Sequence, residues 1–255
     1  MIVKVLGTCA ATGSPTPATC YLIDDNTLLD CGDSVQQLPV ENRLAIERVL
    51  LTHAHADHSD GLPSLLQAHA EHGGRGVTVY TQQETIDELL HGQLEASPDY
   101  VAMKTADGST LLRLVAIEVG DAIPLPDGMA TALPAQHSIP AVGWLIEGPW
   151  RALTYTGDTA LCPAFWHWSA NVPSLSDIIC VVGCASDAPD IAASEGHMTP
   201  ESLVTMLDLV PPNVQIWIAD QQSGASHAST LSEVRRLAPS VINIADISAD
   251  SLIDL

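Results

Sequence analysis

The stretch LLTHAHADHSDGLP, residues 50–63, sets three histidines and two aspartates directly behind an apolar run. ERVLLT, which leads into it, reads as a β-strand, and Leu62, Leu65, Leu66 and His69 recur at helical spacing between Ser59 and Glu71. His53, His55, Asp57 and His58 therefore project from a strand's end just before a helix, and converge at a sheet edge. A polar loop of solvated histidines is the plainer alternative, but imidazoles left unpaired behind a buried strand are costly to desolvate. Imidazole and carboxylate are ligands for divalent first-row metals, and HxHxDH supplies enough donors to hold two ions side by side.

Outward from this stretch the chain alternates. IVKVLG, ATCYLID and NTLLDCG precede it as short strands separated by turn-formers, and GVTVYT and the helix TQQETIDELLHG follow it. From about Thr110 the pattern begins again. LLRLVAIEV, ATALPAQH, VGWLIEG, RALTYTGD, DIICVVG and VQIWIAD read as strands, TPESLVTMLDLV as a helix capped by Thr199 or a neighbour, and HASTLSEVRRLA as a last helix. Two halves that each run from strands into alternating strand and helix predict an α/β fold, two β-sheets face to face with helices outside, in one domain spanning residues 1–255. His69, His72 and His91 lie late in helices, where a cation suits the helix dipole, and are given no chemistry.

Composition narrows the function. Thirty-one acidic against nine basic residues give a formal charge of −22. The mean outer field repels polyanions, so a small anionic substrate, with bound cations as local compensation, is expected rather than a nucleic-acid polymer. The N-terminal apolar run is too short for a membrane span, and the six cysteines show no zinc-ribbon spacing or disulfide framework. A cytoplasmic protein without membrane contact is expected, and a homodimer is the commonest assembly for one.

HxHxDH followed by Gly61 resembles the signature of metallo-β-lactamase-fold hydrolases, a four-layer αββα sandwich of two mixed sheets flanked by helices, with a binuclear metal site at one edge. The resemblance extends to His137 in LPAQHSIPAVGW and Asp158 in TYTGDT. It implies that His53, His55 and His137 bind one divalent ion (Zn, Mn or Fe), that Asp57 and His58 bind a second, and that Asp158 bridges them. An aspartate at 158, where lactamases usually carry cysteine, speaks against antibiotic hydrolysis. VLGTCAATGSPTPATCYLIDD, LLDCG, HSIPAVGWLIE and GHMTP are most similar to class II cyclic-nucleotide phosphodiesterases, with the tRNA 3′-end endonucleases as cousins. That resemblance implies phosphodiester hydrolysis, with His197 as general acid, because imidazole titrates near neutral pH, and Asp57 steering the nucleophile.

Two positions depart from the family pattern. The last core strand normally ends in histidine, whereas IWIADQQSG has Asp220, which implies an oxygen ligand favouring harder ions, unless His227 substitutes. Gly183 stands where an acid often supports the histidine of GHMTP. A catalytically weakened metal-binding relative, serving as a binding or regulatory module, is therefore the alternative. RNA 3′-end processing ranks lower, because no basic Gly-rich arm is present. The loop GTCAATGSPTP is a candidate for anion binding through its amides, and ALCPAFWHWSANV for stacking a base.

Overall fold

The computed structural model describes residues 1–8, 18–95, 99–220 and 227–255, apart from the side chains of Asp220 and His227. Most of the loop GTCAATGSPTP, residues 9–17, lies outside the described residues. The chain divides into two compact units, Ile2–Glu118 with Ala249–Ile253, and Val119–Ser248 with Met1 and Asp254–Leu255.

The N-terminal unit is built on a seven-stranded mixed sheet in the order β14-β1-β2-β3-β4-β5-β6. Its strands are β1 (Ile2–Gly7), β2 (Cys20–Ile23), β3 (Thr27–Leu29), β4 (Arg48–Leu50), β5 (Val77–Thr81), β6 (Leu112–Ala116) and β14 (Leu252–Asp254). β1, β2 and β3 pair antiparallel, and β3 through β6 run parallel. Helices α1 (Val40–Ala45), α2 (Ala56–Ser59), α3 (Leu62–His72), α4 (Gln83–His91) and α5 (Asp99–Ala102) occupy the connections. Val49, Val77 and Val79 of the sheet and Leu62, Leu65 and Leu66 of α3 are fully or almost fully buried, the apolar content that a strand–helix layer needs.

The second unit repeats the plan in the order β13-β12-β11-β10-β9-β8-β7. Here β7 (Ala122–Leu125), β8 (Gly128–Pro134), β9 (Val142–Glu147) and β10 (Ala152–Tyr155) are antiparallel, and β11 (Leu175–Val182), β12 (Gln215–Asp220) and β13 (Asn243–Asp246) continue parallel to β10. α6 (Pro163–Ala170), α7 (Pro189–Glu195), α8 (Pro200–Val204) and α9 (His227–Leu237) connect them. Phe165 and Trp166 of α6, Ile178 of β11, Ile216 of β12 and Val234 of α9 share one core cluster. The expected fold class, two mixed sheets with flanking helices, is the observed one.

Some elements differ from their sequence reading. The helix expected from Ser59 to Glu71 is observed as α3, starting at Leu62 with Pro63 in its first turn, and the separate turn of helix α2, ending at Ser59, carries Asp57 and His58 before it. TPESLVTMLDLV holds a helix only to Val204. Thr199 caps it as expected, in a capping box closed by the Ser202 hydroxyl, and a 3₁₀ turn at Leu207–Leu209 completes the stretch. The cysteines among the described residues are free and buried, and burial raises the thiols of Cys20, Cys31, Cys180 and Cys184 above the ordinary range. No helix of the described residues is long and apolar enough to cross a membrane.

His69 corrects the dipole argument. It is buried, its Nδ1 accepts from the Gly76 amide at 3.1 Å and its Nε2 donates to the Arg43 carbonyl at 3.0 Å. The bond accepted at Nδ1 requires the neutral ring, and burial lowers its pKa from 6.5, so desolvation outweighs the helix dipole. Because the folded-state pKa is depressed, this stabilisation is complete above pH about 6.5 and is lost as pH falls through the folded-state value. Thermal melts from pH 7.5 to 5.5 should show a shallower loss of Tm in His69→Gln than in the wild type; equal slopes would contradict the assignment.

Candidate metal centre

The histidine stretch is held to the sheet by backbone bonds at both ends. Leu51 extends the β4–β5 pairing through its amide to the Tyr80 carbonyl at 3.0 Å, and the Cys31 amide donates to the His58 carbonyl at 2.7 Å. This close fit depends on two glycines. A Cβ on Gly32 would lie 2.4 Å from the Asp57 carbonyl oxygen, and one on Gly61 would lie 2.3 Å from that of Gly32. Neither glycine has a positive φ, so close backbone approach, rather than conformational freedom, demands them.

Behind the histidines sits Asp30, fully buried, with φ +57° in the left-handed region. Strain of this kind is held only where the surroundings enforce it. Its carboxylate accepts from the Thr52 amide at 2.8 Å and the Thr52 hydroxyl at 2.9 Å, and lies 2.7 Å from His58 Nδ1. A carboxylate only accepts, so His58 carries its proton on Nδ1 and turns the Nε2 lone pair outward. Thr52 has one hydroxyl proton and gives it to Asp30. Its oxygen then accepts from His53 Nδ1 at 2.9 Å, which frees the Nε2 lone pair of His53 as well.

The freed atoms stand next to other donors. His53 Nε2 is 3.1 Å from His55 Nδ1, and His58 Nε2 is 3.2 Å from Asp57 Oδ2. Two ligands on one tetrahedral ion at about 2.0–2.1 Å stand roughly 3.3 Å apart, so both pairs have the spacing of atoms sharing a cation. The surroundings are electronegative: burial first, then the carboxylates of Asp57 and Asp33, raise the pKa of Asp60.

In the second unit, His137 follows β8 and donates through Nδ1 to the Gly196 carbonyl at 2.9 Å, presenting Nε2. Gly196 has φ +71°, and a Cβ there would lie 2.9 Å from His137 Cα, so GHMTP needs glycine twice over. Asp158 follows β10, and its turn is tied to the segment before His137 by the Gln136 amide, which donates to Thr159 Oγ1 at 2.9 Å. His137 Nε2 and His197 Nδ1 each lie 4.0 Å from Asp158 Oδ2, and the two rings meet edge to face at 5.1 Å.

His197 lies against Gly183, where a Cβ would sit 2.5 Å from its Nδ1. Among the described residues that nitrogen has no hydrogen-bond partner, in keeping with the acid absent from position 183. Asp220 closes β12 in register with Val182, and His227 opens α9; their side chains, as candidate ligands, lie outside the described residues. The aromatic stretch divides: Phe165 and Trp166 are core, whereas His167 and Trp168 line an open cleft of about 530 Å³. Asp30 and Thr52 were not singled out from sequence, although LLDCG carried the signal.

Residues 25–218 match the family model of the beta-lactamase superfamily domain. The chain belongs to this superfamily. It is 30% identical over 147 residues to the Ribonuclease Z of Bacillus licheniformis, covering 54% of this chain and 45% of that enzyme. Its match to the Ribonuclease Z of Pyrobaculum neutrophilum is 28% over 206 residues, 68% of each. Among solved structures, yeast PDE1 is similar at TM-score 0.81 and 15% identity over 100% of this chain and 99% of that one. YhfI of Bacillus subtilis reaches 0.77 at 17% over 99% and 98%, and human tRNase Z, short form, 0.68 at 19% over 100% and 99%. These likenesses, with the matched family model, show the metallo-β-lactamase fold.

The comparisons overturn one expectation. The exclusion of nucleic-acid polymers fails, because the curated relatives are named for ribonuclease action. Net charge, here −22, describes the distant field, whereas binding at a cleft is governed by the nearest cations.

Replacing Asp30 with asparagine should weaken Zn²⁺ binding about 10- to 100-fold in equilibrium dialysis, by releasing His58 from its tautomer. Unchanged affinity would show that the carboxylate only supports the fold.

Proposed function

We propose that the chain is a two-metal phosphodiester hydrolase working as one domain over residues 1–255. One observation carries the reading: the outward lone pairs of His53 and His58 are preset by hydrogen bonds on their far sides and stand at ligand spacing from His55 and Asp57. In this reading His53, His55 and His137 hold one ion, Asp57 and His58 the other, and Asp158 is shared. Each of these residues brings an imidazole or a carboxylate, the donor chemistry of a divalent-cation site. Asp220 adds an oxygen ligand to the second, which admits Mn²⁺ or Fe²⁺ beside Zn²⁺.

Such ions, when bound, supply hydroxide at neutral pH and neutralise charge on the phosphoryl oxygens. The side chains do the rest. The Asp57 carboxylate accepts a hydrogen bond from the attacking water and orients it. His197 gives a proton to the departing alkoxide oxygen from Nε2, the nitrogen turned away from Gly183.

The bond is the core of the proposal, and a cyclic nucleotide is its small-molecule substrate. An RNA chain is the second reading, favoured by the relatives named Ribonuclease Z. Purified protein should carry two ions per chain and turn over bis(p-nitrophenyl) phosphate, with the rate falling at least about 100-fold in His55→Ala. Parallel assays on cyclic AMP and a structured precursor RNA decide between the readings. One ion per chain and no turnover of any of the three would contradict the proposal and leave a binding module.

A further inference from the structure

Nine residues of the chain are lysine or arginine, and three of them, Arg48, Arg75 and Arg113, line a single cleft of about 440 Å³ in the N-terminal unit. The register explains the grouping. Arg48 of β4 pairs with Thr78 of β5, which pairs with Arg113 of β6, so the three side chains stand in one row across adjacent parallel strands. With strands about 4.8 Å apart, the Cα atoms of the two arginines are roughly 10 Å apart, with the Thr78 hydroxyl between them. Two guanidinium forks at that separation can fold toward a shared tetrahedral anion, and Tyr80 adds a phenol to the same lining.

The charge of this cleft is poorly compensated. Glu47 is its one carboxylate, and its contacts are loose, 3.6 Å to Arg48 and 3.9 Å to Arg75. Arg113 has no ion-pair partner among the described residues. Asp107 also interacts with Arg75, which leaves Arg48 and Arg113 with Glu47 alone, and cations held together in this way repel one another unless an anion joins them. The cleft lies at the start of β4, whereas the histidines follow its end; an extended chain from Arg48 to His53 covers about 16 Å.

We propose that this arginine cleft is a second site that binds a phosphate group, separate from the metal-ligating residues and independent of the hydrolase reading. The phosphate belongs either to a small phosphorylated ligand or to a nucleic-acid backbone, which present the same oxygens to the arginines.

The test is calorimetric titration of the full-length, metal-loaded chain with inorganic phosphate, repeated on Arg48→Gln/Arg113→Gln, Arg113→Lys and His55→Ala. The double variant should bind at least tenfold more weakly, Arg113→Lys should fall between it and wild type because lysine keeps the charge without the fork, and His55→Ala should retain the cleft's binding event. Thermal melts of the same samples report whether each variant is folded. Titrations with a nucleoside triphosphate and a short oligoribonucleotide then assign the source: the ligand whose affinity falls in Arg113→Lys is the one the cleft holds. Absence of saturable phosphate binding, or equal affinity in wild type and a folded Arg113→Lys, would overturn the proposal.

Discussion

The metal-binding face of this protein depends on one buried carboxylate. Asp30 receives the Thr52 amide and hydroxyl and His58 Nδ1, and by consuming those protons it decides which nitrogen of His53 and of His58 faces outward. Uncompensated, a fully buried carboxylate would be too costly to keep; three hydrogen bonds offset that cost, and the strained φ of Asp30 aims the group at them. The histidines gain fixed tautomers, and a cation meets ligands that need little rearrangement. Local backbone geometry serves the same end, since Gly32 and Gly61 let the loop after β3 lie directly on the turn that carries Asp57 and His58.

Much of the fold and the close grouping of the HxHxDH side chains was legible in the sequence, for reasons that differ by element. IVKVLG, GVTVYT and VGWLIEG are apolar runs between turn-formers, and the strands they form are observed. HxHxDH was legible because its donors are close in sequence as well as in space. Asp30 was not, because LLDCG marks the segment but its partners lie 22 and 28 residues away. The short strands β7, β13 and β14 were missed for a related reason: at three or four residues, with Pro124 in one and acids in the others, pairing with a neighbour rather than an internal pattern makes them strands. His69 shows the opposite error, a local rule of helix dipoles applied where burial governs.

Charge gave the least transferable inference. A total of −22 is compatible both with cation-ligating carboxylates and histidines and with a cleft that gathers a third of the basic side chains. Each is a local field, and neither can be read from the sum. The same holds for substrate class, since the relatives named Ribonuclease Z point to RNA while the likeness to yeast PDE1 shows the fold alone.

The central claim is that the hydrogen bonds behind the histidines choose the ligand atoms. A crystal structure of the metal-loaded protein, with anomalous maps recorded at the Zn, Mn and Fe edges, measures this directly. The account predicts one peak within bonding distance of His53 Nε2 and His55 Nδ1 and a second at His58 Nε2 and Asp57, with Asp30 still bonded to His58 Nδ1. A peak on His58 Nδ1, or an ion bound directly by Asp30, would contradict it.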